Sequence, residues 1–121
     1  MHEASITQSI IDSVLATLEG EDVSGTVTAV NVTAGVCQGL IPESMQMFFD
    51  MQKPGTPLEH AELIVAVQGM VARCSRCEKE HVLDVPNMFC PTCGEPMTLV
   101  RGKEILISSI EVDDEFEKDI D

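Results

Sequence analysis

Two Cys-x-x-Cys pairs, Cys74-Ser75-Arg76-Cys77 and Cys90-Pro91-Thr92-Cys93, stand a dozen residues apart and constrain the fold more than any other feature of the chain. Each pair closes a tight loop that aims two thiolates at one ion. The stretch between them is long enough for a hairpin that brings the loops face to face. Zn²⁺ favours such an all-sulfur tetrahedron, and four protein ligands close its shell and leave no position for a substrate. The spacing therefore predicts a structural zinc site at Cys74, Cys77, Cys90 and Cys93, with the function lying elsewhere.

Two rival uses of the sulfurs are weaker. Disulfides conflict with an opening Met1-His2-Glu3 that carries no signal peptide, since an intracellular, cytoplasmic setting keeps thiols reduced. A mononuclear iron centre for electron transfer would share the Cys90-Pro91-Thr92-Cys93-Gly94 knuckle with rubredoxins. With no Trp, no Tyr and four Phe, however, the chain lacks the aromatic core of those proteins.

At 121 residues there is room for one modest core plus a metal-stapled subdomain. No apolar run approaches the roughly 20 residues that cross a bilayer, so no membrane insertion is expected. The formal charge of −14 argues against nucleic acid, whose binders carry a basic footprint. Arg73, Arg76, Lys79, Arg101 and Lys103 gather around the cysteines, but acids dominate the chain. Residues 113–121 read as a solvated acidic C-terminal tail. A docking tail for a basic partner and a weak cation-concentrating tail are the alternatives.

Ile6, Ile10, Ile11, Val14, Leu15 and Leu18 recur at three- and four-residue steps, which predicts an amphipathic helix over about 4–19. Gly20 is its expected stop, and Ser5 with Gln8 fits a capping box, which allows the helix to begin at the very start of the chain. The β-branched run from Thr26 to Thr33 predicts a strand ending near Gly35. Pro42 can open a second helix, with Met45, Phe48, Phe49 and Met51 as its buried stripe and the segment 53–57 as its end. A second strand follows over 62–67. This strand–helix–strand order favours a parallel pair joined by a right-handed crossover. Residues 103–112 predict a last strand.

The expected fold is α+β: two helices on a three-stranded sheet, with an inserted zinc-ribbon-like β lobe. The first lobe takes residues 1–69 plus 103–112, the inserted lobe 70–102, and the tail 113–121. No Ser/His/Asp set, phosphate-binding glycine loop or His-Glu-x-x-His appears, so an enzyme is not expected. Cys37 reads as a small buried apolar residue. His60 and His81 read as surface or hydrogen-bonded histidines, with a secondary metal role or a tuning role left open for His81, which lies between the cysteine pairs.

A frayed chain end is the plain reading of Met1-His2-Glu3. Coordination chemistry keeps another open. A free α-amine, with a pKa of roughly 7.7–8.0, binds metal once deprotonated. The His2 imidazole can close chelate rings with that amine and the intervening amide nitrogen. Such planar, nitrogen-rich ligation suits Ni(II) or Cu(II). If a helix starts here, its first N–H groups have no intrahelical partner and are free to deprotonate and coordinate.

Several segments now line up in order. Met1-His2-Glu3 precedes an amphipathic helix, Pro42-Glu43-Ser44-Met45-Gln46-Met47-Phe48-Phe49 follows, and Gly55-Thr56 leads to Ala61-Glu62-Leu63. The two cysteine pairs come next, and Gly102-Lys103-Glu104-Ile105 closes toward Ile110-Glu111-Val112. Together they resemble the HypA/HybF family of hydrogenase maturation factors across roughly residues 1–112. The resemblance implies a nickel metallochaperone that aids nickel insertion into the large subunit of NiFe-hydrogenase. It implies Ni²⁺ as cargo held at Met1, His2 and Glu3, and structural Zn²⁺ held by Cys74, Cys77, Cys90 and Cys93. The partners it implies are a HypB-type GTPase and the hydrogenase large-subunit precursor, and some relatives also serve urease. An inserted lobe also invites domain exchange, which leaves a homodimer open. The alternative is a zinc-stabilised protein-interaction module without a second metal. Two positions depart from the family: Glu78 follows the first cysteine pair where glycine is usual, and His60 stands where glycine is common.

Overall fold

The computed structural model describes residues 2–21 and 25–113, with His2 described by its backbone alone. The acidic tail expected at 113–121 therefore lies outside the described residues, apart from Asp113. In chain order the elements are α1 (His2–Glu21), β1 (Thr26–Gly35), a 3₁₀ turn (Val36–Gln38), α2 (Pro42–Gln52), β2 (Glu62–Gln68), β3 (Met70–Cys74), β4 (Lys79–Leu83), β5 (Thr98–Arg101) and β6 (Ile105–Asp113). They form two three-stranded sheets, ordered β2-β1-β6 and β4-β3-β5. The fold is thus α+β, and the three strands of the cysteine segment fall in sequence between β2 and β6, as the sequence pattern predicts. The chain divides into two compact units. Unit 1 comprises the described residues of Met1–Val32, Ile41–Val65 and Ile107–Asp121, and unit 2 comprises Thr33–Leu40 and Ala66–Leu106.

In unit 1, α1 buries Thr7, Ile10, Ile11 and Val14, a stripe at three- and four-residue steps. Ile6, Leu15 and Leu18 are half-buried beside it. The Thr7 hydroxyl can be buried because it donates to the carbonyl of Glu3, one turn back, at 2.6 Å. Two boundary expectations fail. The helix begins at His2, so Ser5 is an interior residue and forms no capping box; Gln8 instead donates across one turn to Asp12 at 3.0 Å. The helix also runs through Gly20 to Glu21, one residue past the expected stop.

α2 packs against α1, starts on Pro42 as expected and buries Met45 and Phe49 completely. Phe48 is half-buried, whereas Met51 faces solvent, because the helix turns its stripe away before that position. The Lys53 N–H closes the helix on the Phe49 carbonyl at 3.0 Å. Full burial of side chains such as Ile11, Val14, Met45 and Phe49 contributes about 1.5–3 kcal/mol each. β1 supplies Val27, Ala29, Val30 and Val32 to the same core. It runs antiparallel to β6, since Thr28 bonds to residue 111 and Asn31 to residue 109.

In unit 2, β3 is the central strand, paired antiparallel with both β4 and β5. A register shift at Val71/Ala72 interrupts the β5 side. Its core is small: Met70, Ala72, Cys74, Cys90 and Met97 are buried, with Val36, Cys37 and Leu99 among the residues packed against them. Gly35 and Gly102 meet backbone to backbone, and any side chain on Gly35 would run into the Gly102 carbonyl. That approach lets the Cys37 N–H reach the Gly102 carbonyl at 2.9 Å.

Candidate metal centre

Cys74 ends β3, Cys77 lies in the turn before β4, and Cys90 and Cys93 lie in the loop between β4 and β5. Two hydrogen bonds tie the ends of that loop: Met97 N–H to the Met88 carbonyl at 2.7 Å, and Cys90 N–H to the Glu95 carbonyl at 2.8 Å. The four sulfurs all lie within 4.8 Å of one another. Cys74 and Cys93 sulfurs are 3.6 Å apart, and Cys77 and Cys90 sulfurs 3.8 Å. A tetrahedron with metal–sulfur bonds of about 2.3 Å has edges of about 3.8 Å, so the donor set fits zinc as it stands. Cys74 and Cys90 are buried and Cys77 and Cys93 half-buried, and four cysteine donors would fill a tetrahedral shell.

The two loops are built alike. The Glu78 N–H returns to the Cys74 carbonyl at 2.7 Å, and the Gly94 N–H to the Cys90 carbonyl at 2.8 Å. The Cys77 N–H points at the Cys74 sulfur and the Thr92 N–H at the Cys90 sulfur, both at 3.4 Å. Closing each loop needs a left-handed residue after the second cysteine, with φ +57° at Glu78 and +80° at Gly94. Glycine takes that conformation without strain, whereas Glu78 is the one non-glycine residue with positive φ among the described residues.

Electrostatics distinguish the sulfurs. Hydrogen bonding to the Cys93 thiol, followed by burial, pushes the Cys77 thiol up to about 12. At Cys90 burial opposes ionisation, but N–H groups of Cys93 and Thr92 outweigh it and bring the thiol down to about 6. At Cys93 an N–H from Glu95 favours the thiolate, yet burial and the neighbouring thiols leave the pKa raised. A divalent ion replaces the protons these thiols hold and removes their mutual repulsion. One side chain outside the quartet reaches it: His81 Nε2 lies 3.5 Å from the Cys90 sulfur. The Arg76–Glu95 ion pair between the loops, at 3.5 Å, is exposed and contributes little.

The other expected metal site falls on Met1, His2 and Glu3, and Met1 and the His2 side chain lie outside the described residues. Glu3 is described. Its carboxylate accepts the Ile41 N–H at 2.9 Å. Next to it, the Ala4 carbonyl accepts Gln52 Nε2 at 3.2 Å. No periodicity or motif marks Gln52, which reads in sequence as an ordinary polar residue at a helix end. Cys37 is half-buried with its sulfur 3.8 Å from that of Met70, close to the expected small apolar role, and His60 is exposed.

A family model described as "Hydrogenase/urease nickel incorporation, metallochaperone, hypA" matches residues 1–112. A hydrogenase maturation factor HypA of Aquifex aeolicus is 35% identical over 114 residues, covering 93% of this chain and 98% of the relative. One from Chlorobium phaeobacteroides is 37% identical over 114 residues, covering 93% and 100%. The solution structure of the nickel metallochaperone HypA from Helicobacter pylori superimposes with a TM-score of 0.62 at 19% identity, over 93% of this chain and 97% of that one, and so shares the fold.

Proposed function

Since the chain belongs to the HypA family, nickel metallochaperones of hydrogenase maturation and not enzymes, we propose that it carries Ni²⁺ on its first residues and delivers it to the NiFe-hydrogenase large-subunit precursor. The ligands are the Met1 amine, the His2 imidazole and backbone nitrogens of His2 and Glu3. Two observations support a site made of nitrogens. α1 begins at His2, so the N–H groups of its first turn lack intrahelical acceptors. The Glu3 carboxylate is already engaged by the Ile41 N–H, which leaves the backbone nitrogen of Glu3 as its natural donor.

The family match over residues 1–112 carries this reading. In it, residues 70–102 form the zinc-binding lobe and Cys74, Cys77, Cys90 and Cys93 hold structural Zn²⁺, which their spacing fits. Residues 1–69 with 103–112 form the nickel lobe. A HypB-type GTPase supplies nucleotide hydrolysis, and the exchange takes place in the cytoplasm. A site at a chain end suits hand-over, because an acceptor can replace its ligands one at a time. Binding expels protons from amine, imidazole and amides, so nickel affinity weakens as pH falls through about 8, the range of a free α-amine.

The test is to extend the chain with residues before Met1 and measure nickel affinity and hydrogenase maturation. Loss of both is expected, and wild-type values for both would refute the terminal site.

A further inference from the structure

Among the described residues, one buried side-chain oxygen has no hydrogen-bond partner: Gln52 Oε1. Buried amide oxygens are nearly always paired, because one left without a donor has lost its hydration for nothing. Gln52 is the last residue of α2, and its Nε2 donates to the Ala4 carbonyl in the first turn of α1. That contact fixes which way the amide faces. A carbonyl can only accept, so the nitrogen stays toward Ala4, and a flip to satisfy Oε1 would set two oxygens against each other. The other end of α2 grips the same turn, where Ile41, the N-cap residue, donates its N–H to Glu3 Oε2. α2 thus holds two consecutive residues of α1, Glu3 at the edge of the proposed nickel site and Ala4 directly after it, and leaves one acceptor unused.

We propose that Gln52 is a positioning residue of the terminal nickel site: its Nε2 anchors the first turn at Ala4, and its Oε1 accepts an N–H of the nickel-bound residues. The inference rests on the terminal-nickel reading above. When amine, imidazole and amide nitrogens bind nickel, the coordinated amine and the second imidazole nitrogen keep their N–H groups. The metal makes both stronger donors, and a metal-bound imidazole characteristically donates its free N–H to an outer acceptor. A leucine at position 52 would bury similar volume with no oxygen left unpaired. The unpaired oxygen therefore costs stability in the metal-free chain, which the Nε2 bond to Ala4 offsets in part.

The test compares wild type, Q52L, Q52M and H2A. Nickel titrations follow the absorption of planar Ni(II), and circular dichroism follows thermal unfolding of nickel-free protein. Both Gln52 variants are expected to bind nickel about tenfold more weakly, with a shifted nickel band, while their unfolding temperatures equal or exceed that of wild type. A purely structural role predicts the reverse, lower unfolding temperatures with unchanged nickel affinity, and that result overturns the proposal. Loss of nickel binding in H2A with wild-type affinity in both Gln52 variants overturns this inference alone. Wild-type affinity in H2A overturns the terminal reading itself.

Discussion

The two units are held together by different physics. Unit 1 has a conventional core of aliphatic side chains with Met45 and Phe49, and the chain outside unit 2 carries the whole net charge of −14. Unit 2 has five of the seven Lys and Arg and five of the 21 Asp and Glu, so it is electrically balanced before any metal binds. Eight apolar residues are buried there, five of them in one cluster, and two of those, Cys74 and Cys90, are metal-ligand candidates. A core that small does not stabilise a lobe alone, so the zinc proposed at the four cysteines would be a structural member of unit 2. Unit 1 needs no such staple, so the nickel proposed at its chain end could be taken away without unfolding it.

The largest effect expected from this contrast is at Cys90. Cys90→Ser removes a ligand from a site in which bound zinc is worth about 10–16 kcal/mol to a small domain. Zinc content should fall below a tenth of wild type, and the amides of Met70–Cys74 should lose their hydrogen-exchange protection. Those of Ile10–Val14 should keep theirs; collapse of both sets together would erase the distinction between the units. The mirror experiment is Phe49→Ala, which opens a cavity in unit 1 costing about 3–5 kcal/mol. Denaturant unfolding reads that loss, and zinc content under native conditions should not change.

A finer contrast lies between the two cysteine loops. Gly94→Ala forces an alanine into left-handed backbone with open space around it, so only backbone strain is added, about 1 kcal/mol. Glu78→Gly relieves the same strain and should stabilise zinc-loaded unit 2 by about 1 kcal/mol. Chelator competition for zinc compares the two, and equal shifts in one direction would contradict the shared loop geometry.

The smallest effect is at Glu104. Its carboxylate is held below the usual 4.5 by nearby backbone N–H groups, its own first and then that of Gly102, which it accepts at 2.9 Å. A carboxylate with a depressed folded pKa adds stability that is present above about 4.5 and is lost as pH falls through the folded value. Glu104→Gln should flatten the acid limb of the stability profile and leave neutral-pH metal binding unchanged.

Much of this organisation is legible in the sequence, because the features that encode it are local and periodic. Ile10, Ile11 and Val14 mark α1 by spacing, Pro42 marks the start of α2, and the cysteine quartet marks its own tetrahedron. What escapes is set by partners distant in sequence. Segment 33–40 joins unit 2 through the close approach of Gly35 and Gly102, which no nearby residue announces. Gln52 is invisible for the same reason, since its meaning depends on Ala4.

The division of labour between sulfur and nitrogen is most directly tested by nickel K-edge X-ray absorption on zinc-loaded protein given one equivalent of Ni²⁺. A planar shell of nitrogen donors without sulfur, with zinc still bound, is the predicted result. Nickel–sulfur scattering accompanied by zinc release would place the cargo in the cysteine cluster and contradict the account.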